Sequence, residues 1–313
     1  MSVVLLTDCD LGAPELERAL LADAGFELVE ANCRTEEDVI AAGADAVGLL
    51  VQYAPIGAEA FARLDKVRAV SRYGTGVDSI DVAAARSHGV AVSGVPDYCT
   101  DEVADHTLAL LLALTRGVVT GVTDVRRGAW PRASALHDLS ALRGKTVGII
   151  GVGRVGVAVA QRCAAFGCRV RGHDPYVRDK SIAAWGLEPV SVDEAFASDI
   201  VSLHLPLNEE TRGFANAERL ALMPRGGVLL NVSRGGLLDE AAAVAALDDG
   251  RLGGVGVDVL AVEPPTDSAL ASHPQALVTP HIAFYSPAAL ERLRRGVVAR
   301  LLSTLLEQPP VLV

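Results

Sequence analysis

The chain has few aromatic residues and a deficit of positive charge. Only 4% of its 313 residues are Phe, Trp or Tyr, although 50% are hydrophobic. The volume of the core must therefore come mainly from Ala, Val and Leu, which is typical of proteins that alternate strands and helices. The 39 Asp and Glu residues outnumber the 28 Lys and Arg residues, and the net charge of −11 opposes attraction to nucleic acid or to an anionic membrane. We expect neither as a direct partner.

Paired cysteines, metal-ligand spacings and long apolar runs are also missing. The five cysteines form no CxxC pair and no His-Cys cluster: Cys9, Cys33, Cys99, Cys163 and Cys168. This pattern predicts no metal site, and the odd count is typical of reduced thiols in a cytoplasm. The N-terminal residues lead into a strand without the basic flank of an export signal. The most apolar helical stretch, 107–114, is too short for a membrane span, so we predict a buried or interface helix.

The length and the pattern of apolar runs predict two domains. A chain of 313 residues exceeds what one hydrophobic core usually holds. Short apolar runs alternate with helical stretches up to residue 96, and the alternation resumes at residue 146, so each half predicts a parallel α/β unit. Between them, a helix over 100–116 precedes a polar arm over 117–143, which is long enough to wrap a partner subunit. A long helix over 287–306 ends the pattern.

The motif GVGRVG at 151–156 follows a buried apolar strand and opens a helix. Gly151 permits the tight turn, Gly153 leaves room for a pyrophosphate, and Gly156 lets the helix pack close to the strand. Asp174 ends the next strand, where a carboxylate accepts hydrogen bonds from a ribose 2′-hydroxyl and repels a 2′-phosphate. The pattern predicts NAD as the cofactor.

Polar residues follow later strands, at the edge where open α/β sheets bind ligands. Arg234 precedes two glycines, and its guanidinium can hold a carboxylate through two parallel hydrogen bonds, with a surface salt bridge as the alternative. His281 lies between a strand end and a turn, where a lone histidine is more often a core residue. A carboxylate that reaches it, such as Glu263, would favour the protonated ring and orient it as a proton donor. These three are the predicted catalytic residues.

Four motifs, in this order and spacing, resemble the D-isomer-specific 2-hydroxyacid dehydrogenase family over nearly the whole chain. They are GVGRVG with Asp174, VSRGGLLDE around Arg234, DVLAVEP with Glu263, and TPHIA with His281. The resemblance implies two Rossmann-like α/β domains with parallel sheets. The substrate-binding domain would be discontinuous, over 1–97 and 286–313, and the NAD-binding domain would span 98–285. It also implies a homodimer formed through the cofactor domain, consistent with the wrapping arm.

The resemblance further implies a role for each site residue. Arg234 would bind the carboxylate and carbonyl of a 2-oxo acid, and His281, supported by Glu263, would exchange a proton with the substrate oxygen. We assign cofactor contacts to Gly151, Gly153, Arg154, Val155, Gly156, Asp174, His204, Pro206, Thr211, Val232, Ser233 and Asp258. We assign substrate contacts to Gln52, Tyr53, Arg72, Gly74, Thr75, Gly76 and Tyr285.

The sequence thus predicts an NAD-dependent oxidoreductase that interconverts a 2-oxo acid and a D-2-hydroxy acid by hydride transfer. Two alternatives stay open. The run HIAFYS resembles the C-terminal-binding-protein corepressor branch of the family, in which NAD drives dimerisation and partner docking. A nucleotide-binding scaffold without turnover is the other. Arg72 provides either a positive charge for a second anionic group on the substrate, such as a phosphate or phosphonate, or a salt bridge.

Overall fold

A computed structural model describes residues 1–130 and 139–307. It divides into two compact units, which we call unit 1 and unit 2. Unit 1 comprises Met1–Cys99 and the described residues from Tyr285 onward, and unit 2 comprises Thr100–Phe284. The boundaries expected from the sequence, after 97 and after 285, lie one or two residues from these. The roles assigned to the two parts stay predictions at this point.

Unit 1 contains a five-stranded sheet. Its strands are β1 (Ser2–Leu6), β2 (Phe26–Glu30), β3 (Ala46–Val51), β4 (Ala69–Arg72) and β5 (Ala91–Ser93), in the spatial order β2-β1-β3-β4-β5. Its helices are α1 (Glu15–Asp23), α2 (Glu36–Ala42), α3 (Ala58–Arg63), α4 (Val82–Ser87) and the last helix of the chain, α13 (Pro287–Leu305). The chain runs from β1 outward to β2 and returns to β3 on the other side of β1. The topological switch point of this sheet therefore lies between β1 and β3.

The central strand of unit 1 is buried along nearly its whole length. Leu49, Leu50 and Val51 of β3 are fully buried, as expected for a parallel strand covered on both faces. A buried ion pair ties α1 to α13, because the carboxylate of Glu17 accepts hydrogen bonds from Nε and Nη2 of Arg294 at 2.7 and 2.5 Å. The hydroxyl of Tyr73 donates to the same carboxylate at 3.1 Å. This network holds the end of β4, directly before Gly74.

Unit 2 contains a seven-stranded sheet. Its strands are β6 (Thr146–Ile150), β7 (Arg169–His173), β8 (Glu188–Pro189), β9 (Ile200–Leu203), β10 (Gly227–Asn231), β11 (Leu252–Val257) and β12 (Ala276–Val278). Its helices are α5 (Thr100–Thr115), α6 (Val118–Arg126), α7 (Arg154–Ala165), α8 (Asp179–Ala184), α9 (Val192–Phe196), α10 (Ala217–Ala221), α11 (Glu240–Asp248) and α12 (Ala269–Ser272). The spatial order is β12-β11-β10-β9-β6-β7-β8, so the switch point lies between β6 and β9.

Both sheets confirm the predicted fold class. Every strand ladder within the described residues is parallel, and the long helix predicted at the C-terminal end is α13. Parallel strands need a crossover between neighbours, which explains why helices alternate with strands along the sequence.

The arm predicted over 117–143 needs a correction, because its first part is the helix α6. Gly117 has a φ of 59° and separates α5 from α6. No residue of α6 is buried, so packing within the chain does not explain its valines. The predicted arm continues into residues 131–138, which lie outside the described part of the chain.

A search of the described residues finds no single helix that is long and apolar enough to cross a membrane. The pair α5 and α6 meets the length and composition limits only when joined, with a bend of 61° between them.

Candidate active site

The glycine motif forms a turn between β6 and α7 that leaves backbone exposed to a ligand. Gly151 has a φ of 92°, and a Cβ there would lie 2.4 Å from the carbonyl oxygen of His204. A Cβ at Gly156 would lie 2.1 Å from the carbonyl oxygen of Gly151, so only glycine lets α7 start this close to β6. A Cβ at Gly153 would meet no atom within 4 Å. The turn therefore faces open space at the N-terminus of α7, where an anion is stabilised.

Asp174 follows β7 and is held in one orientation by the backbone. Its Oδ2 accepts from the Val152 N–H and its Oδ1 from the Tyr176 N–H, both at 2.9 Å. The carboxylate is thereby fixed beside the glycine turn, as recognition of a ribose hydroxyl requires. The side chain of Tyr176, which follows it, is 84% exposed.

His204 follows β9 on the other side of the switch point. Its Nε2 lies 2.9 Å from the hydroxyl of Ser202, whereas its buried Nδ1 has no hydrogen-bond partner within the described residues. Burial lowers the pKa of His204 to about 4, so the ring is neutral at physiological pH. A buried polar atom without a partner at this edge marks a place for a ligand hydrogen bond. Together with the open turn and the fixed Asp174, it fits a dinucleotide.

The other predicted cofactor residues lie on the same sheet edge. Arg154 and Val155 form the first turn of α7. The hydroxyl of Thr211 donates to the carbonyl of Pro206 at 2.7 Å, and that of Ser233 donates to the carbonyl of Leu203 at 2.9 Å. Val232 is buried in the core. The contacts of these residues with the cofactor stay predictions.

Glu263 and His281 lie in contact, as the sequence predicted. Nδ1 of His281 donates to Oε2 of Glu263 at 2.7 Å, and Oε1 of Glu263 accepts from the Leu260 N–H at 2.9 Å. Burial raises the pKa of Glu263, but the hydrogen bonds from His281 and Leu260, with the charges of His281 and Arg234, outweigh burial and hold that pKa below its ordinary value. The carboxylate therefore stays ionised at neutral pH and orients the ring, with Nε2 as the nitrogen for proton exchange.

Asp258 builds the turn that carries His281. Its side chain is 1% exposed, and its carboxylate accepts from the Ile282 N–H at 3.0 Å and the Ala283 N–H at 2.8 Å. Its carbonyl oxygen accepts from the His281 N–H at 2.9 Å. These bonds hold His281 at a φ of 53°, which is uncommon for a residue other than glycine. The role of Asp258 in this structure is thus to hold the histidine turn, whereas its contact with the cofactor stays a prediction.

Arg234 is brought beside the glutamate turn by its neighbours. A Cβ at Gly235 would lie 1.9 Å from the backbone carbon of Leu260, so only glycine permits this approach. The fully buried Asn231 donates from Nδ2 to the carbonyl of Arg234 at 2.9 Å and accepts from the Ser233 N–H at 3.1 Å. The side chain of Asn231 therefore shapes the turn that presents the guanidinium.

Sequence reasoning missed two residues that support this site, Asn231 and His106. Nε2 of His106, on α5, lies 2.9 Å from the hydroxyl of Thr279, which donates to Oδ1 of Asp258 at 2.5 Å. This chain of hydrogen bonds reaches the histidine turn from α5. No sequence signal distinguishes His106, because the same part of α5 also carries Glu102, Asp105 and Thr107.

The predicted substrate residues of unit 1 cluster at the ends of β3 and β4. Nε of Arg72 donates to the carbonyl of Gln52 at 3.0 Å, and a Cβ at Gly74 would lie 2.3 Å from Nη1 of Arg72. The hydroxyl of Thr75 donates to the carbonyl of Val95 at 3.3 Å, which pins the glycine loop. The structure thus brings Gln52, Arg72 and the glycine loop together.

The side chains of the predicted substrate residues differ in exposure. Gln52 is 4% exposed and bonded to Asp10, and Gly76 is half-buried. Tyr53 and Tyr285 are 59% and 55% exposed. Of this set, the tyrosines and the exposed Thr75 present side chains to solvent.

Comparison with known proteins assigns the family. Residues 108–283 match the model of the D-isomer specific 2-hydroxyacid dehydrogenase, NAD binding domain. The chain belongs to this family. Unit 2, which contains the matched residues, is therefore the NAD-binding domain, and the recognition made from the motifs is confirmed.

Three similar proteins show the breadth of this family. The chain is 39% identical over 294 residues to D-3-phosphoglycerate dehydrogenase of Mycobacterium bovis, which covers 93% of this chain and 55% of that protein. It is 34% identical over 271 residues to glycerate dehydrogenase of Methylorubrum extorquens, which covers 84% of each. The crystal structure of the TT0316 protein from Thermus thermophilus superposes with a TM-score of 0.87, at 36% identity, over 99% of each chain. The chain spans about half the length of the phosphoglycerate dehydrogenases it matches.

Proposed function

We propose that this protein is an NAD-dependent dehydrogenase that interconverts a small 2-oxo acid and its D-2-hydroxy acid. The observation that carries the proposal is the 2.7 Å contact between His281 and the ionised Glu263, with the charge of Arg234 acting on the same carboxylate. A proton donor, its orienting partner and an anion-binding guanidinium are the groups that reduction of an oxo acid needs beside a nicotinamide.

In this proposal each residue has one task. Arg234 binds the carboxylate of the oxo acid and polarises its carbonyl. His281 gives the proton on Nε2 to the carbonyl oxygen during reduction and takes it back during oxidation, while Glu263 stabilises the charged ring. Asp258 holds the turn that carries His281, and Asn231 holds the turn that carries Arg234. The bound nicotinamide supplies the hydride acceptor or donor.

The protein groups at the glycine turn favour NAD over NADP. The carboxylate of Asp174 is fixed by two backbone N–H groups, and a fixed negative charge there opposes the 2′-phosphate of NADP. The relatives named above act on phosphoglycerate and on glycerate, so we propose oxo acids of this size as substrates, with or without a phosphate.

Steady-state turnover of NADH with a panel of 2-oxo acids tests the proposal. The panel should include the oxo acids that correspond to glycerate and 3-phosphoglycerate, and His281→Ala should remove the activity. The absence of turnover with every oxo acid, together with tight NADH binding, would instead favour the corepressor-type or scaffold interpretation.

We further propose a homodimer in which α6 lies at the interface. Four valines of α6 are between 44% and 54% exposed, namely Val118, Val119, Val122 and Val125, and Trp130 beyond it is 85% exposed. Val118, Val122 and Val125 recur at helical spacing on one face. Val122→Asp should shift the mass measured by light scattering from dimer to monomer, whereas Phe166→Asp, an exposed apolar residue outside this helix, should leave it unchanged.

We also propose that the protein acts in the cytoplasm. All five cysteines are free thiols, and burial raises the pKa of each of Cys9, Cys33, Cys163 and Cys168. Thiols of this kind persist in a reducing compartment. Fractionation of cells that produce the protein, followed by thiol labelling, tests the location.

A further inference from the structure

Three successive backbone N–H groups of unit 1 converge on one carboxylate. The N–H groups of Gln52 and Ala54 donate to Oδ1 of Asp8, both at 3.2 Å, and the N–H of Tyr53 donates to Oδ2 at 2.7 Å. The hydroxyl of Thr7 also donates to Oδ1 at 2.7 Å. Asp8 is 8% exposed. We call the group formed by the N–H donors of residues 52, 53 and 54 the Asp8 nest.

The Asp8 nest lies at the switch point of the unit 1 sheet. Asp8 follows β1 by two residues, and Gln52 follows β3 directly. Open α/β sheets of this strand order bind their ligands outside the carboxyl ends of these two strands. Successive backbone N–H groups in a turn form an anion-binding concavity. In unit 1 the anion in that concavity is a side chain of the chain itself.

The loop after β3 is held by further contacts. The side-chain amide of Gln52 donates to Oδ1 of Asp10 at 2.5 Å and accepts from the Asp10 N–H at 2.9 Å. The carbonyl of Gln52 accepts from Nε of Arg72 at 3.0 Å. Tyr53 therefore projects, 59% exposed, from a loop whose own N–H groups are all engaged. Because the loop is rigid, it fixes the position of this exposed side chain, as contact with a ligand requires.

We propose that Asp8 is a positioning residue, whose carboxylate fills the Asp8 nest and so holds the loop with Tyr53 in its substrate-contacting conformation. The proposal rests on the proposed function, because Tyr53 is a predicted substrate contact. Filling the nest also closes this switch point to external anions, so that unit 1 binds no nucleotide there although its strand order resembles that of nucleotide-binding sheets.

A cavity of about 300 Å³ gives access to the nest from solvent. Asp8, Tyr53 and Ala54 line it together with residues that follow β2. Removal of the Asp8 side chain therefore leaves three N–H donors that a small anion can reach. Formate carries the same carboxylate as the missing side chain, and so it is a suitable probe.

The experiment compares Asp8→Ala with the unaltered protein, with and without formate, against chloride at equal ionic strength. We expect the KM for the oxo acid to rise about tenfold, because the N–H groups of residues 52, 53 and 54 lose their common acceptor and no longer fix the loop. Kd for NADH, measured by fluorescence titration, should stay within about twofold because unit 2 is unchanged. Formate should bring the KM back toward the original value and raise the Tm of the variant but not of the unaltered protein.

Two further variants make the result decisive. Asp8→Asn keeps the shape but replaces one oxygen that accepts from N–H groups by an amide NH2 group, which only donates, so its KM should rise and formate should not restore it. Asp45→Ala removes an exposed carboxylate of the same unit, paired with Lys66, and should change none of these quantities.

An unchanged KM for Asp8→Ala would overturn the positioning role, and so would a raised KM that formate leaves unaltered. If the unaltered protein turns over no oxo acid, the proposed function fails. A rise in Tm with formate in Asp8→Ala alone would then still establish that the Asp8 carboxylate fills the nest. If formate leaves the Tm of this variant unchanged, the filled nest is refuted.

Discussion

In unit 2 the strand β6 runs into glycines, whereas in unit 1 the strand β1 runs into Thr7 and Asp8. Both sheets are parallel and open, and both have a switch point beside that first strand. At the unit 2 edge, a Cβ at Gly153 would meet nothing within 4 Å. At the unit 1 edge, three N–H groups are already bonded to a carboxylate.

The difference shows how one architecture serves two purposes. An open edge with exposed N–H groups attracts an external anion, and glycine keeps the edge open because it has no side chain. In unit 1 the aspartate after the first strand accepts from the N–H donors of the loop after β3 and turns a binding site into a rigid support. The two units thus differ less in fold than in the residues that follow the first strand.

The largest effect is expected for Gly153→Asp, which places an aspartate after the first strand of unit 2, as Asp8 follows the first strand of unit 1. The backbone of Gly153 has a φ of −85° and a ψ of −166°, which any residue adopts, and Asp is a favourable N-cap, so the fold should persist. The new carboxylate would oppose the pyrophosphate at a separation of roughly 4 Å, which costs about 4 kcal/mol near a protein surface. Titration of NADH fluorescence should show a loss of affinity on the order of a thousandfold.

Gly153→Asn is the matched control for this change, since it adds the same volume without the charge. We expect it to weaken NADH binding much less than the aspartate does. Equal losses in the two variants would mean that bulk, and not charge, distinguishes the two edges.

The next test separates substrate binding from cofactor binding within unit 2. Arg234→Lys keeps the charge but removes the planar pair of donors. Loss of an oriented contact that strengthens in the transition state should cost roughly 2–4 kcal/mol, a thirty- to thousandfold drop in kcat/KM for the oxo acid. NADH binding, measured in parallel, should hardly change. If NADH binding falls in step with activity, Arg234 belongs to the cofactor site.

Most of the fold was predictable from the sequence because apolar runs alternate regularly with helical stretches in both units. The glycine turn was predictable for a different reason: Gly151 and Gly156 are each required by the local backbone geometry, which the motif alone indicates. The contact between Glu263 and His281 spans 18 residues, and the strand-end rule together with the chemistry of the two groups was enough to expect it.

The parts that escaped prediction depend on distant backbone. Asp8 bonds to N–H groups 44 to 46 residues away, and an aspartate after a strand carries no sign of such partners. Gln52 was expected to face substrate, but Asp10 engages its side chain. The helix α6 was missed because its valines are interrupted by Thr and Gly and are not buried by the chain. The roles of the individual site residues remain predictions, and the variants described here test them.

A smaller effect, on the preference for NAD over NADP, is expected when Asp174 is replaced. Asp174→Ala removes the fixed carboxylate that opposes a 2′-phosphate, so the preference for NAD over NADP should narrow about tenfold, the size of one charge-assisted hydrogen bond. The ratio of kcat/KM for NADH and NADPH measures this preference. Equal values for the two cofactors in the unaltered protein would show that Asp174 does not select the cofactor.

The smallest expected effect is a shift in the pH profile when Glu263→Gln removes the carboxylate beside His281. The pKa of Glu263 is held below its ordinary value of 4.5, so its interaction with the charged ring is present above that pH and is lost only as the pH falls through the lowered value. The neutral glutamine lacks this interaction at every pH, and by reciprocity the protonated ring loses the same stabilisation.

Reduction of the oxo acid needs that proton, so the alkaline fall in kcat/KM should begin at a lower pH in the variant than in the unaltered protein. The reverse reaction, which needs the neutral ring, should change in the opposite sense. Glu240→Gln is a suitable control, because that carboxylate accepts from the Ala261 N–H near the same loop without contacting His281. An alkaline limb that stays in place in Glu263→Gln would mean that the carboxylate orients the histidine without stabilising its charge.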